Sequence, residues 1–266
     1  MKQLKLMVLT LTLLMGTMFT SCMDSGESGP QQWAGVVKVN DRMGYVTFTD
    51  AAGTELIPTN TIPVTLNARM AYIYCQVDEG QDLSTNPKSI KITLLADPTG
   101  IDATAITTPK VESSDVTTNA PVGSLSFASG YSTVAPFQFS ENTIVLPVLY
   151  RVKNVTTTED IKNELAKHTF TFVCYTDDIK SGDTILKLYL RYKVEDEPAA
   201  IAERATRTSS FKAYEISQIL REYTLKSGQT KPAKITIVAQ QNEYNNKLED
   251  TSTIEKVYEI EYKTAE

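Results

Sequence analysis

The chain has 266 residues, 41% hydrophobic and 22% charged, with 26 Lys plus Arg against 32 Asp plus Glu and a net charge of −6. Such a composition belongs to a globular protein that can bury a core, which excludes collagen-like, disordered and multi-spanning membrane classes. One His, one Trp and three Cys exclude a cysteine-rich scaffold and a multi-His metal centre, so neither a metal nor a cofactor is expected.

Lys2 and Lys5 precede an apolar run, Leu6 to Phe19, that is too short to span a bilayer and stops at Thr20, Ser21 and Cys22. Residues 1–21 therefore read as a secretory signal peptide, and Phe19-Thr20-Ser21-Cys22 resembles a bacterial lipobox, in which Cys22 becomes the lipidated first residue. Phe19 departs from the usual Leu, Val or Ile; the alternative is a non-lipidated signal cut nearby. Acyl chains on Cys22, palmitate among them, would hold the protein to a membrane, because each buried CH₂ contributes about 0.8 kcal/mol. No second apolar run of membrane length follows, so the expectation is anchoring and not spanning. Loss of Lys2 and Lys5 with the signal leaves 24 basic against 32 acidic side chains, a net charge of −8. Nucleic acid is not an expected partner, since no basic cluster interleaved with aromatics is present.

Residues 22–32 follow as a polar, Gly- and Pro-containing tether. From Trp33 the pattern turns to short alternating strands: Val37 with Val39, Tyr45 to Thr49, Thr54 to Ile57, Met70 to Val77 and Ser89 to Leu95. Five short strands in residues 33–97 fit a small OB-like barrel, although the usual helix between the third and fourth strands is not visible; an unclosed sheet is the alternative. Residues 98–123, rich in Thr, Asp, Pro and Ala with little periodicity, read as a linker.

Residues 124–266 are again strand-dominated, with strands expected over 125–128, 134–139, 143–153, 168–176, 184–194, 209–214, 233–241 and 253–262. Two short helices interrupt them, one over Glu159 to Lys167 with Thr158 as N-cap and Ile161 and Leu165 on one face, the other near Glu215 to Tyr223. The expected class is all-β: an OB-like five-stranded barrel followed by an antiparallel β-sandwich with two short helices.

Several segments carry a family resemblance: Asp50-Ala-Ala-Gly-Thr-Glu-Leu-Ile-Pro58, His168-Thr-Phe-Thr-Phe-Val173, Leu188-Tyr-Leu-Arg-Tyr192, Lys234 to Asn245 and Lys256 to Tyr262. With the lipobox, they make the chain resemble the NigD-like lipoproteins of Bacteroidota over nearly the whole mature sequence. The resemblance implies a lipidated envelope protein, held at the outer membrane on its periplasmic or cell-surface face. It implies an OB-like and a β-sandwich domain; with no activity established for the family at large, no catalytic residues are carried over from it. The family name comes from an operon linked to a bacteriocin.

The side chains that could carry chemistry are few. Cys75 shares a strand face with Ile73 and Val77, and Cys174 with Phe170 and Phe172, so both read as core residues; an oxidising envelope would permit a disulfide between them, but they fall in different expected domains. His168 and Cys174 are six residues apart along one strand, about 20 Å, which rules out a thiol–imidazole pair there. Asp177, Asp178 and Asp183 around Gly182 lack the spacing of a calcium loop and read as a solvated turn. Asp183-Thr184-Ile185 resembles the short O-glycosylation motif of this phylum, which makes Thr184 a candidate site of modification. Glu195-Asp196-Glu197 reads as a charged strand end, and Tyr72, Tyr74, Tyr189 and Tyr192 as strand residues that could line a carbohydrate platform. The expected function is a membrane-anchored, non-enzymatic binding or accessory module for an envelope protein or glycan. The alternatives are an immunity-type or structural protein and a glycan hydrolase using dispersed carboxylates.

Overall fold

The structure, a computed structural model, describes residues 31–42, 45–60, 66, 68–83, 87–129 and 132–264. Cys22 and most of the expected tether lie outside the described residues. The chain divides into two compact units, one ending at Ala103 but including Ala128–Val134, the other built from Thr104–Phe127 and the residues from Ala135 onward.

The first unit is a closed barrel. Its strands are β1 (Gln32–Arg42), β2 (Tyr45–Thr49), β3 (Glu55–Pro58), β4 (Met70–Val77) and β5 (Ser89–Leu94), hydrogen-bonded in the order β1-β2-β3-β5-β4 and back to β1. All ladders run antiparallel except β3 against β5, which is the OB connectivity. Alternation drives closure: Ala71, Ile73 and Cys75 of β4 and Ile90, Ile92 and Leu94 of β5 point inward onto Val37, Phe48 and Leu56. Trp33 enters the same core and lies across Gly35, where a Cβ would come within 2.6 Å of its ring, so this close approach requires the missing side chain. Pro58 fits because it is the last residue of β3. A short strand, β6 (Thr99–Ile101), extends the sheet beside β4.

In the second unit two four-stranded sheets share one core. The first is ordered β10 (Phe137–Ser140), β11 (Thr143–Val152), β14 (Thr206–Glu215), β7 (Ala103–Ala105); the second is β12 (His168–Val173), β13 (Ile185–Val194), β15 (Lys234–Gln241), β16 (Ile254–Glu261). A two-stranded sheet of β8 (Phe127–Ser129) and β9 (Ser132–Val134), which apart from Phe127 belongs to the first unit, is hydrogen-bonded to neither sheet. Inward residues of β11 (Ile144, Leu146, Val148, Tyr150) meet those of β13 (Leu186, Leu188, Leu190, Tyr192), which makes this a sandwich. One ladder departs from the antiparallel expectation: β13 and β15 are parallel, because the chain between them leaves to form β14 in the other sheet. Three helices accompany the sheets, α1 (Thr158–Ala166), α2 (Pro198–Ala202) and α3 (Ser217–Ser227), so α2 adds to the two expected.

The stretch expected as a linker, 98–123, holds β6 and β7 and then crosses the second sheet. Thr107 exchanges backbone hydrogen bonds with Phe172 and Cys174 at 3.1 and 3.0 Å, the Asn119 amide brackets Val194 at 2.8 and 2.9 Å, and Val122 bonds to Gln240 and Asn242 at 3.0 and 2.9 Å. Ile106, Ala120 and Val122 sink into the sandwich core between these points. Such a strap is pinned one residue at a time and leaves no periodicity in the sequence.

Helix α1 also packs differently from the expectation, rotated so that Glu164 and not the Ile161 and Leu165 pair is buried. Its N-cap is Thr157, one residue earlier than the sequence indicates, with Oγ1 accepting the Asp160 N–H at 3.1 Å. Ile161 and Leu165 are each 43% exposed, while Glu164 is buried.

Candidate functional site

The positions singled out in the sequence do not converge. Thr184 is exposed in the loop immediately before β13. The acidic turn before it is held by lysines: Lys226 Nζ reaches Asp177 Oδ1 at 2.9 Å and donates to the Thr176 carbonyl at 2.8 Å, while Asp183 Oδ2 accepts the Lys180 N–H at 2.7 Å. Among the described residues no group of three His, Cys, Asp or Glu side chains is placed to hold a metal. Cys75 and Cys174 are free and buried, one in each unit, and burial pushes both thiols up to about 12. Of the four tyrosines, Tyr192 is in the sandwich core and Tyr189 on the opposite face of the same strand, so they cannot share a platform. Tyr189 instead meets Tyr175 edge-on at 5.2 Å, with the Arg191 guanidinium 4.9 Å from its ring centre.

The His168 ring is buried at the start of β12, stacked on Tyr192, whose hydroxyl lies 2.7 Å from Nδ1. On its other side Nε2 is 3.3 Å from Glu164 Oε1. That carboxylate also accepts the Lys153 N–H at 2.8 Å and takes Arg204 in a fork, Nε to Oε1 at 2.7 Å and Nη2 to Oε2 at 3.2 Å. Arg204 Nη2 continues to Asp196 Oδ2 at 3.0 Å, where Lys153 Nζ and Lys167 Nζ arrive at 3.2 Å. Asp196, expected as a charged strand end, is the junction of a network tying α1, β11, β12, β13 and the chain after α2. Burial alone would raise the Glu164 carboxyl, yet the Lys153 N–H, Arg204 and His168 hold it below the usual carboxylate range. Arg204, with the two lysines, holds Asp196 lower still. Burial depresses His168 against the pull of Glu164, which favours neutral imidazole. Every carboxylate here is spent on partners, which is the chemistry of a latch and not of an acid–base pair.

A second polar assembly escaped the sequence reading. Arg151 of β11 and Arg207 of β14 stand directly opposite each other in the ladder. Arg151 is 4% exposed, and its guanidinium donates to the carbonyls of Asn242 at 3.1 Å, Asn245 at 3.4 Å and Glu243; Arg207 donates to the same Glu243 carbonyl at 2.7 Å. Neither forms an ion pair with a carboxylate among the described residues. The loop they hold, between β15 and β16, is cross-linked internally. Asn242 Oδ1 accepts from Tyr244 and Asn245 N–H, Asn242 Nδ2 donates to Thr253 Oγ1, and Asn245 Nδ2 donates to Asp250 Oδ2, all at 2.8–3.0 Å. Asn246, also buried, donates to the Ile201 carbonyl at 3.0 Å. At the tip of this braced loop Tyr244 is 79% exposed.

Elsewhere on the unit an open cleft of about 800 Å³ runs along α3, lined by Leu220, Arg221, Leu225, Lys231 and Tyr262.

No protein-family profile and no curated protein matches the sequence. Solved structures do. A Bacteroides fragilis protein that carries a lipoprotein name, BF3042, is 95% identical with a TM-score of 0.81, over 89% of this chain and the whole of that one. A protein of unknown function, DUF1344, from Bacteroides vulgatus aligns over 88% of this chain and 92% of its own, with 11% identity and a TM-score of 0.54. An uncharacterized protein from Parabacteroides merdae aligns over 87% and 99%, with 11% identity and a TM-score of 0.50. At 11% identity these last two share the fold alone.

Proposed function

Because the chain belongs to the same Bacteroides lipoprotein family as its 95% identical relative, we propose that Cys22 is its lipidated first residue and that it serves as a non-enzymatic binding or accessory module at the cell envelope. The observation that carries this reading is the coincidence of two features. One is a relative bearing a lipoprotein name; the other is a chain opening with Lys2, Lys5 and the apolar Leu6–Phe19 run that ends at Cys22. The module is of the NigD-like type and sits at the outer membrane, with a short polar tether between the lipid and the barrel. Its ligand or partner belongs to the envelope, a glycan or a protein.

The binding reading is favoured over a hydrolase by the state of the carboxylates: Glu164 and Asp196 are bridged by Arg204. A pair acting on a glycosidic bond needs open faces and a defined separation across a cleft. The test is fractionation of cells expressing the wild type and Cys22→Ser. Wild type is expected in the membrane fraction and the variant in the soluble fraction; a variant that stays with membranes to the same extent overturns the anchoring.

A further inference from the structure

Like charges placed directly opposite in an antiparallel ladder repel, and a buried guanidinium without a carboxylate carries its full desolvation cost. Arg151 and Arg207 share the first cost; the second falls on Arg151 alone, which is 4% exposed and offsets part of it by its carbonyl hydrogen bonds, whereas Arg207 is exposed. What they hold in return is the Glu243–Asn246 segment, through carbonyl groups that neutralise neither charge. The result is a pair of guanidinium groups without a carboxylate partner among the described residues, beside a braced loop that carries Glu243, Lys247, Glu249 and Asp250 and exposes the Tyr244 ring.

We infer that the Tyr244–Arg207 face of this loop is a binding site for an acidic saccharide, with the sugar's apolar C–H face on the Tyr244 ring and its carboxylate on the exposed Arg207 guanidinium. Arg151 lies beside Arg207 in the ladder, too deeply buried to touch a ligand, and adds its charge to the site. Preorganisation is supplied by Asn242, Asn245 and Asn246, so little ordering entropy is lost on binding. A saccharide fits better than an acidic protein. A protein interface needs an apolar centre within its polar rim, whereas Tyr244 is flanked by Glu243, Asn245, Asn246 and Lys247. An acidic sugar fits better than a neutral one because the two arginines lack a carboxylate partner.

This inference rests on the reading of the protein as a binding module and gives that reading a site and a ligand class. The test uses the full chain purified in detergent, so that it stands apart from the fractionation experiment. The probes are oligogalacturonate, a hyaluronan hexasaccharide, neutral maltoheptaose and poly-L-glutamate, measured by calorimetry at low salt. The expected result is binding of at least one uronate probe over maltoheptaose, weakened tenfold or more by Tyr244→Ala and by Arg207→Glu. Arg221→Glu, which makes the same charge change at a distant exposed position, is expected to leave it within twofold. Three outcomes overturn the inference: neither uronate binds, all three variants weaken binding equally, or poly-L-glutamate binds as well and ignores Tyr244→Ala. The last would make the site one for acidic peptides.

Discussion

Arg204 shows what one residue does for the second unit. Its guanidinium joins Glu164, Asp196 and the Ala200 carbonyl, and with them five segments of chain. Removing one partner of a buried pair leaves the other charge stranded, whereas replacing both by apolar groups is close to neutral. Arg204→Met is therefore expected to cost about 3–5 kcal/mol in urea unfolding, and Glu164→Leu combined with Arg204→Met to recover most of that loss. The same cluster sets a pH dependence. His168 is held below its ordinary value of 6.5, so its contribution is complete above that value and is lost as pH falls from there toward the folded pKa. Glu164 and Asp196 are also depressed, and their contributions fade only at lower pH, below 4.5 and 3.8. The melting temperature should fall between pH 7 and 5, and His168→Gln should flatten that segment of the curve; an unchanged slope contradicts the buried neutral imidazole. Cys75 and Cys174, with thiols pushed up to about 12, should resist alkylation in the folded protein and both react in denaturant.

At the scale of elements, alternation made the strands legible. Ile90, Ile92 and Leu94, or Leu186, Leu188 and Leu190, announce a strand and its inward face together. The barrel's closure and the strap over the second sheet were less accessible, because both depend on pairings between distant residues, such as Trp33 with Cys75 and Asn119 with Val194. Helix α1 misled for a different reason: Ile161 and Leu165 have the right spacing for a buried face, but the ion pair of Glu164 with Arg204 decides which side turns inward. One signal was present and unused. Arg151 interrupts a run from Ile144 to Tyr150 that is apolar on both strand faces, and a cation inside such a run marks a buried polar partner. Helix ends give a direct test. Gly228 closes α3 at φ +75° with its N–H on the Thr224 carbonyl, so Gly228→Ala should cost about 1 kcal/mol through the left-handed backbone. Thr157→Ala should cost a similar ~1 kcal/mol through the lost cap. Neither is expected to change membrane fractionation.

For the whole molecule, composition excluded much and identified little, because two β units built on alternating strands look ordinary in sequence. What separates this protein from any other pair of small β units is its first 22 residues together with the lipoprotein name of its relative. The surface candidates, the Tyr244 loop and the cleft along α3, matter to the cell only if the chain is held at the envelope. The most direct measurement is mass spectrometry of the N-terminal peptide from protein extracted from membranes. The account predicts that the peptide begins at Cys22 and carries a diacylglyceryl thioether on Sγ with a further acyl chain on its amino group. A mature protein that begins elsewhere, or carries a free thiol at Cys22, would contradict it.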